Sequence, residues 1–386
     1  MKCKIMKHSA LLLLLLFAAA CSGNRSSNVA EATGGDTVKM KYAEHINIIK
    51  YKDYTVVELD NPWKSGATLH RYVLVARKDS ARMMSAHGKL PQGTIVYTPL
   101  RRTVVFTSPH CYLLSELQSA YAIRGVCDVQ YINLPKLRNA VRDGKIVDCG
   151  NSMSPTVERI IQLGADAVFV SPFDGVSYGQ LETMHLPIIE CADYMETSAL
   201  GRAEWMRFYG MLVGKESQAD SLFNVVETAY NRLSTMARRD KIHPKVLTER
   251  VVSGVWYCPG GRSSMGRLLA DAGARYVFAD DKRSGSLTLS PEVVLTKASD
   301  ADYWMFVAGN GRIETNQSLI SEYAGYATIK AFRDGNVLQC LPGMDNPYFE
   351  EVSFRPDYLM QNLVALLHPN LRIECTHYYY SKKELK

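Results

Sequence analysis

The side chains with chemistry to offer stand at the ends of short apolar runs. His110 follows Ser108-Pro109 where one run ends and a helix opens, so its imidazole is positioned to meet iron or a ligand oxygen. Tyr131 and Asn151 lie in the next two loops, and Phe173, in Ser171-Pro172-Phe173-Asp174-Gly175, ends a later run. In the second half, Trp256 and Tyr257 precede Pro259-Gly260-Gly261-Arg262-Ser263. Glycines at a helix start expose backbone N–H groups, and Arg262 adds a planar fork, a pairing suited to an anionic chelate. Arg283 sits in the basic loop Lys282-Arg283-Ser284-Gly285, and Tyr348 in the aromatic loop Asn346-Pro347-Tyr348-Phe349. Singly, each reads as a cap, a turn or a solvated rim. Together they share one place, after strands and before helices.

Other chemistries find less support. His45, His70, His87, His110, His185, His243, His368 and His377 show no H-x-H or H-x-x-x-H spacing, so no metal-ion site and no resident cofactor is expected. Neither H-E-x-x-H nor G-x-x-x-x-G-K-[ST] occurs. A hydrolase or chelatase acting through His110 or Cys111, and a lipid-anchored adhesive module, are the competing readings. The formal net charge of +6, without a Lys/Arg run among aromatics, argues against nucleic acid. Past Cys3 and Cys21 the cysteines (Cys111, Cys127, Cys149, Cys191, Cys258, Cys340, Cys375) are scattered without C-x-x-C, which suggests small buried hydrophobes.

The elements that must position these residues begin with a targeting segment. Lys2, Lys4 and Lys7 precede the apolar Ala10–Phe17, and Ala18-Ala19-Ala20 lead to Cys21. That run is too short to span a bilayer and reads as a signal. Small residues before a cysteine resemble a bacterial lipobox. The implied product is lipidated on Cys21 after a signal peptide of residues 1–21, with a flexible tether over 22–44 and a lipid anchor facing the periplasm. Residues 45–100 read as an antiparallel β-meander. Residues 101–214 alternate strand and helix, as do 241–370, which implies parallel sheets covered on both faces. Between them Thr197–Arg239 reads as two helices. The second, from Ser217, repeats apolar residues at helical spacing and would be about 34 Å long. The expected architecture is α/β: two Rossmann-like lobes joined by one linker helix over 215–240, with a tail at 371–386.

This order of elements resembles the class III substrate-binding proteins of ABC importers, the iron-siderophore, haem and cobalamin binders. Several stretches carry the likeness: TVVFTSPHCYLLSEL, PTVERIIQLGADAVFVSP, WYCPGGRSSMGRLLADAGA and SPEVVLTKASDADYWMFV. The resemblance implies a monomer that captures an iron chelate or a corrinoid between its lobes and delivers it to a permease dimer. It makes Glu158 and Glu292 the two carboxylates that dock onto permease arginines, and Tyr131 an aromatic ligand contact. Cys149-Gly150-Asn151 stands where cobalamin binders carry a tryptophan. None is present here, so an iron complex (ferric siderophore or haem) is expected, with cobalamin as the alternative.

Overall fold

The structure is a computed structural model that describes residues 34–85, 90–309 and 311–382. The signal peptide, Cys21, the tether up to residue 33, and His87 lie outside the described residues.

Strands β1 (Asp36–Val38), β2 (Ile46–Lys50), β3 (Thr55–Asp60) and β4 (Thr68–Ala76) form an antiparallel run. β5 (Thr94–Thr98) then pairs parallel with β4, so the extension is not the pure meander expected. It also starts earlier, since β1 and residues 41–45 take up part of the stretch read as tether. Its faces alternate with period 2. Ile46, Ile48, Val57, Leu59, Tyr72 and Leu74 join the main core, while Val73, Val75, Met83 and Leu90 form a small one behind.

Two buried carboxylates fix the extension. Glu204 accepts backbone N–H groups of Lys41, Tyr42 and Ala43 at 2.8–3.0 Å. Glu196 accepts those of Glu44 and His45 and the indole N–H of Trp205. Burial raises the Glu196 carboxyl, and these donors oppose the shift.

Lobe 1 contains β6 (Thr103–Val105), β7 (Ile123–Val126), β8 (Val147–Asp148), the hairpin β9 (Gly150–Asn151) with β10 (Ser154–Pro155), β11 (Ala167–Val170) and β12 (Ile188–Glu190). Its sheet runs β12-β11-β6-β7-β8, all parallel, and β11 is buried along its whole length, as a doubly covered strand must be.

The expected helix from Thr197 breaks into Ala199–Glu204 and Met206–Val213, ended by left-handed Gly214. The linker helix follows as Glu216–Arg239, 24 residues and about 36 Å long. Ala219, Phe223, Val226, Tyr230, Leu233 and Ala237 are its buried stripe. That stripe packs on helix Met206–Val213 of lobe 1 and on helix Pro356–Leu367 of lobe 2. The helix is therefore clamped along its length.

Lobe 2 contains β13 (Lys245–Thr248), β14 (Val251–Val252), β15 (Val255–Pro259), β16 (Arg275–Tyr276), β17 (Ser286–Leu289), β18 (Tyr303–Val307), β19 (Val337–Cys340) and β20 (Tyr380–Lys382). The main sheet runs β16-β13-β18-β19-β20 and is parallel except for β20. β20 comes from the stretch expected to be a tail. The run KVLTERVVSGVWYCP forms three strands. Glu249 (φ 62°) and Ser253 (φ 51°) are left-handed and turn the chain, and β14-β15-β17 form a separate antiparallel sheet. The seven described cysteines are free, and all but the half-buried Cys375 are buried.

Candidate functional site: two cavities at the strand ends

In lobe 1 the chain winds from β6 through β7 to β8 on one side, and β11 and β12 fall on the other. A crevice must open between β6 and β11 at their carboxyl ends, where the connections diverge. A cleft of about 680 Å³ lies there, lined among others by Phe106, Met153, Phe173, Tyr178, Leu181 and Tyr194. Its loops are braced. Tyr194 donates to the Pro172 carbonyl at 2.5 Å, and Tyr178 donates to Glu190 Oε1 at 2.9 Å. Phe173 is 45% exposed at the rim.

Asn151 is not in the lining. It shapes the β9–β10 turn, its amide oxygen accepting the Met153 N–H at 2.8 Å. Tyr131, 73% exposed, also stands apart from the cleft. The Ser171–Gly179 loop holds Gly175-Val176-Ser177-Tyr178-Gly179, which has the spacing of a nucleophile elbow. It lacks the strand-turn-helix setting, and Ser177 is exposed with its hydroxyl 3.4 Å from Glu182 Oε1. It is a loop.

His110 lies in the core. Helix Ser108–Glu116 turns it inward beside Cys111, Leu113 and Leu114. Its Nε2 meets Asp193 Oδ1 at 2.9 Å, its Nδ1 meets the Thr107 hydroxyl, and its ring packs edge-on against Tyr209 and Phe354. Both nitrogens are thus engaged, so His110 holds Asp193. Tyr209 also donates to Asp193 Oδ1 at 2.8 Å, and Arg202 Nε donates to Oδ2 at 3.0 Å. Burial alone would raise this carboxyl; His110, Arg202 and Tyr209 hold it down at about 2. Arg202, absent from the sequence expectations, lines a second cavity of about 350 Å³ between the lobes. Lobe 2 contributes Ser264, Met265, Tyr348, Phe349 and Ser353 to it.

Of the lobe 2 candidates, Tyr348 joins that cavity. Trp256 does not face a ligand site: it is fully buried against Trp304 and Tyr326, its indole donating to the Thr248 carbonyl at 3.0 Å. Tyr257, its neighbour on β15, points outward at 45% exposure. Arg262 and Arg283 are brought side by side, because the Arg262 N–H donates to the Arg283 carbonyl at 3.1 Å. The glycines are needed for this approach, since a Cβ on Gly260 would lie 2.2 Å from the Arg283 carbonyl oxygen. Arg283 forks onto Asp281 and brings that carboxyl down to about 2, mainly through their side-chain hydrogen bonds. Glu249, at the end of β13, is pushed up to about 7 by burial, with Arg250 opposing.

Glu158 and Glu292 are exposed, each in the first turn of its helix, Val157–Gln162 and Pro291–Ala298. Neither makes an ion pair among the described residues. Among those residues no group of three or more His, Cys, Asp or Glu gathers as a metal site, and no helix is long and apolar enough to cross a membrane.

The profile of the periplasmic binding protein family matches residues 124–342, more than half of the chain, and the chain belongs to that family. Its two α/β lobes on one helix are the class III arrangement. An uncharacterized lipoprotein of Methanocaldococcus jannaschii is 24% identical over 379 residues, covering 93% of this chain and 89% of the relative. A possible iron-binding, periplasmic solute-binding protein of Staphylococcus epidermidis shares the fold with a TM-score of 0.57 at 17% identity, over 70% of this chain and 100% of that one. A periplasmic haem-binding protein of Pseudomonas aeruginosa does so with a TM-score of 0.55 at 15% identity, over 74% and 98%. The chain is thus an extracytoplasmic solute-binding protein of the ABC-importer type, and not an enzyme.

Proposed function

We propose that the chain is a lipid-anchored binding protein, held through Cys21, that captures an iron complex (ferric siderophore or haem) and hands it to a permease dimer. The observation that carries this reading is the aromatic-lined cleft of about 680 Å³ at the lobe 1 switch point. Its size and rings suit a bulky chelate. The iron-binding and haem-binding proteins that share the fold support the choice of cargo. Phe173 supplies the first-lobe contact, and Tyr131 and Asn151 stand on neighbouring loops. Tyr257, Arg262, Arg283 and Tyr348 form the second-lobe face, with Arg262 placed for an anionic group. His110 acts behind this face, as a positioning residue for Asp193.

Calorimetric titration of the intact chain with ferrichrome, haem and cyanocobalamin tests the cargo. Saturable binding of an iron complex, weakened by Phe173→Ala, is expected; binding of cobalamin alone would overturn the reading. Glu158 and Glu292, exposed and one per lobe, are the docking pair, where carboxylates meet arginine forks with defined orientation. Glu158→Arg or Glu292→Arg is expected to abolish uptake while ligand affinity survives. If affinity falls with uptake, the docking role is wrong.

A further inference from the structure

The cavity between the lobes holds hydrogen-bond donors that the fold leaves unused. Arg202 commits its Nε to Asp193, and its two terminal nitrogens make no hydrogen bond among the described residues. Because Asp193 is fully buried and fixed by His110 and Tyr209, the guanidinium is held at a set angle. Ser353, 3% exposed, lines the same cavity, and its hydroxyl has no partner among the described residues. On the facing wall the helix Ser264–Asp271 begins. The Ser263 hydroxyl caps the N–H of Gly266, which leaves the Ser264 and Met265 amides as open first-turn donors. No carboxylate lines this space, and Leu268, Phe349, Val352 and Leu359 supply an apolar wall.

The Ser353 hydroxyl and the free end of the Arg202 guanidinium both open onto the cavity, so an acceptor that enters it meets donors already in place. We propose that this cavity is an anion pocket, in which Arg202 and Ser353 grip a carboxylate or phosphate head and the apolar wall takes a compact hydrophobic body. The proposal rests on reading the chain as a solute-binding protein, and it names the chemistry of a cavity that shares no lining residue with the lobe 1 cleft. Arg202 belongs to lobe 1 and Ser353 to lobe 2, so one anion would touch both lobes.

The test is calorimetric titration of the full chain with 2-naphthoate, 1-naphthyl phosphate and the neutral isostere 2-naphthamide. At least one anion should bind, roughly ten-fold or more tighter than the amide, with the tighter of the two identifying the head group. Arg202→Gln should weaken it by roughly ten- to a hundred-fold, and Arg202→Lys by less, since lysine keeps the charge without the fork. Ser353→Ala, which removes one hydroxyl, should cost a few-fold with melting unchanged, and it keeps the proposal testable if Arg202→Gln fails to fold. Amide and anions binding alike, or both Arg202→Gln and Ser353→Ala binding as wild type, would overturn the proposal. If naphthoate binds and no iron complex does, the iron reading falls and the pocket stands. If an iron complex binds while no anion does, the reverse holds.

Discussion

After β6 the chain of lobe 1 runs through Phe106-Thr107 straight into a helix. After β13 the chain of lobe 2 bends at left-handed Glu249 and folds back as β14 and β15. In lobe 1 the ends of β6 and β11 are joined by a single bond, from Phe106 N–H to the Phe169 carbonyl at 3.0 Å, and beyond it the crevice is open. In lobe 2 the ends of β13 and β18 are stitched twice: Glu249 N–H donates to the Met305 carbonyl, and the Trp304 indole donates to the Glu249 carbonyl. Past the stitch Arg250 pairs with Glu314 and Glu322, and Trp256, Trp304 and Tyr326 pack edge-on and tilted behind it. The same winding leaves a crevice in both lobes, but only in lobe 1 does it stay open as a cleft. Lobe 2 fills its own with protein.

That contrast can be broken by substitution. Trp304→Ala should cost about 3–5 kcal/mol in urea unfolding, because a fully buried indole leaves a cavity. Phe173→Ala should change stability by less than about 0.5 kcal/mol while weakening ligand. Equal losses would mean that the lobe 1 cleft is also structural.

Next in size is Asp193→Asn, which removes the charge that anchors Arg202 and should cost about 2–3 kcal/mol at pH 7. The native carboxyl is held at about 2, below its unfolded value, so its stabilisation is present above about pH 4 and lost as pH falls through 2. The variant should therefore lose least against wild type at the acid end. A gap that stays constant with pH would refute the ionised form.

Smallest is Glu249→Gln. Glu249 is raised to about 7, so stability is fully present below the unfolded value and lost as pH rises through 7. Glutamine should gain about 1–2 kcal/mol at pH 8 and nothing at pH 4. A gain at both would point to local strain instead of charge.

Much of the plan was legible in the sequence. The apolar stripe from Ala219 to Leu233 marked the linker helix to within a residue at its start, and Ser290-Pro291-Glu292 marked a capped helix start that the Ser290 hydroxyl indeed makes. Trp256 could have been placed correctly, because Trp256 in, Tyr257 out and Cys258 in is the period of a strand with one covered face. His110 is harder. Proximity to a strand end says nothing of rotation about the helix axis, and one turn of Ser108–Glu116 decides between cleft and core. Arg202 carried no local signal. It stands within a helix among buried Leu200, Gly201 and Ala203, and only the meeting of two lobes gives it a cavity. The break at Glu249 was invisible for a related reason: left-handed backbone at a non-glycine residue is imposed by surroundings.

The pair Glu196 and Glu204 bears on mechanics. A chain held from its N-terminus transmits any pull to β1 first, and its three residue pairs with β2 lie at a sheet edge and open one after another. The pull then reaches residues 41–45, whose five amides are gripped together by two carboxylates, Glu204 at the end of helix Ala199–Glu204 and Glu196 in the segment just before it. Lys41 and Tyr42 add bonds to Glu227 on the linker helix itself. A load that has peeled β1 away is therefore shared by several bonds strained in parallel, and it passes into the one element clamped between both lobes. Under a pull on its N-terminus the extension would work as a strain relief, taking the load before it reached the strands that end at the lobe 1 cleft.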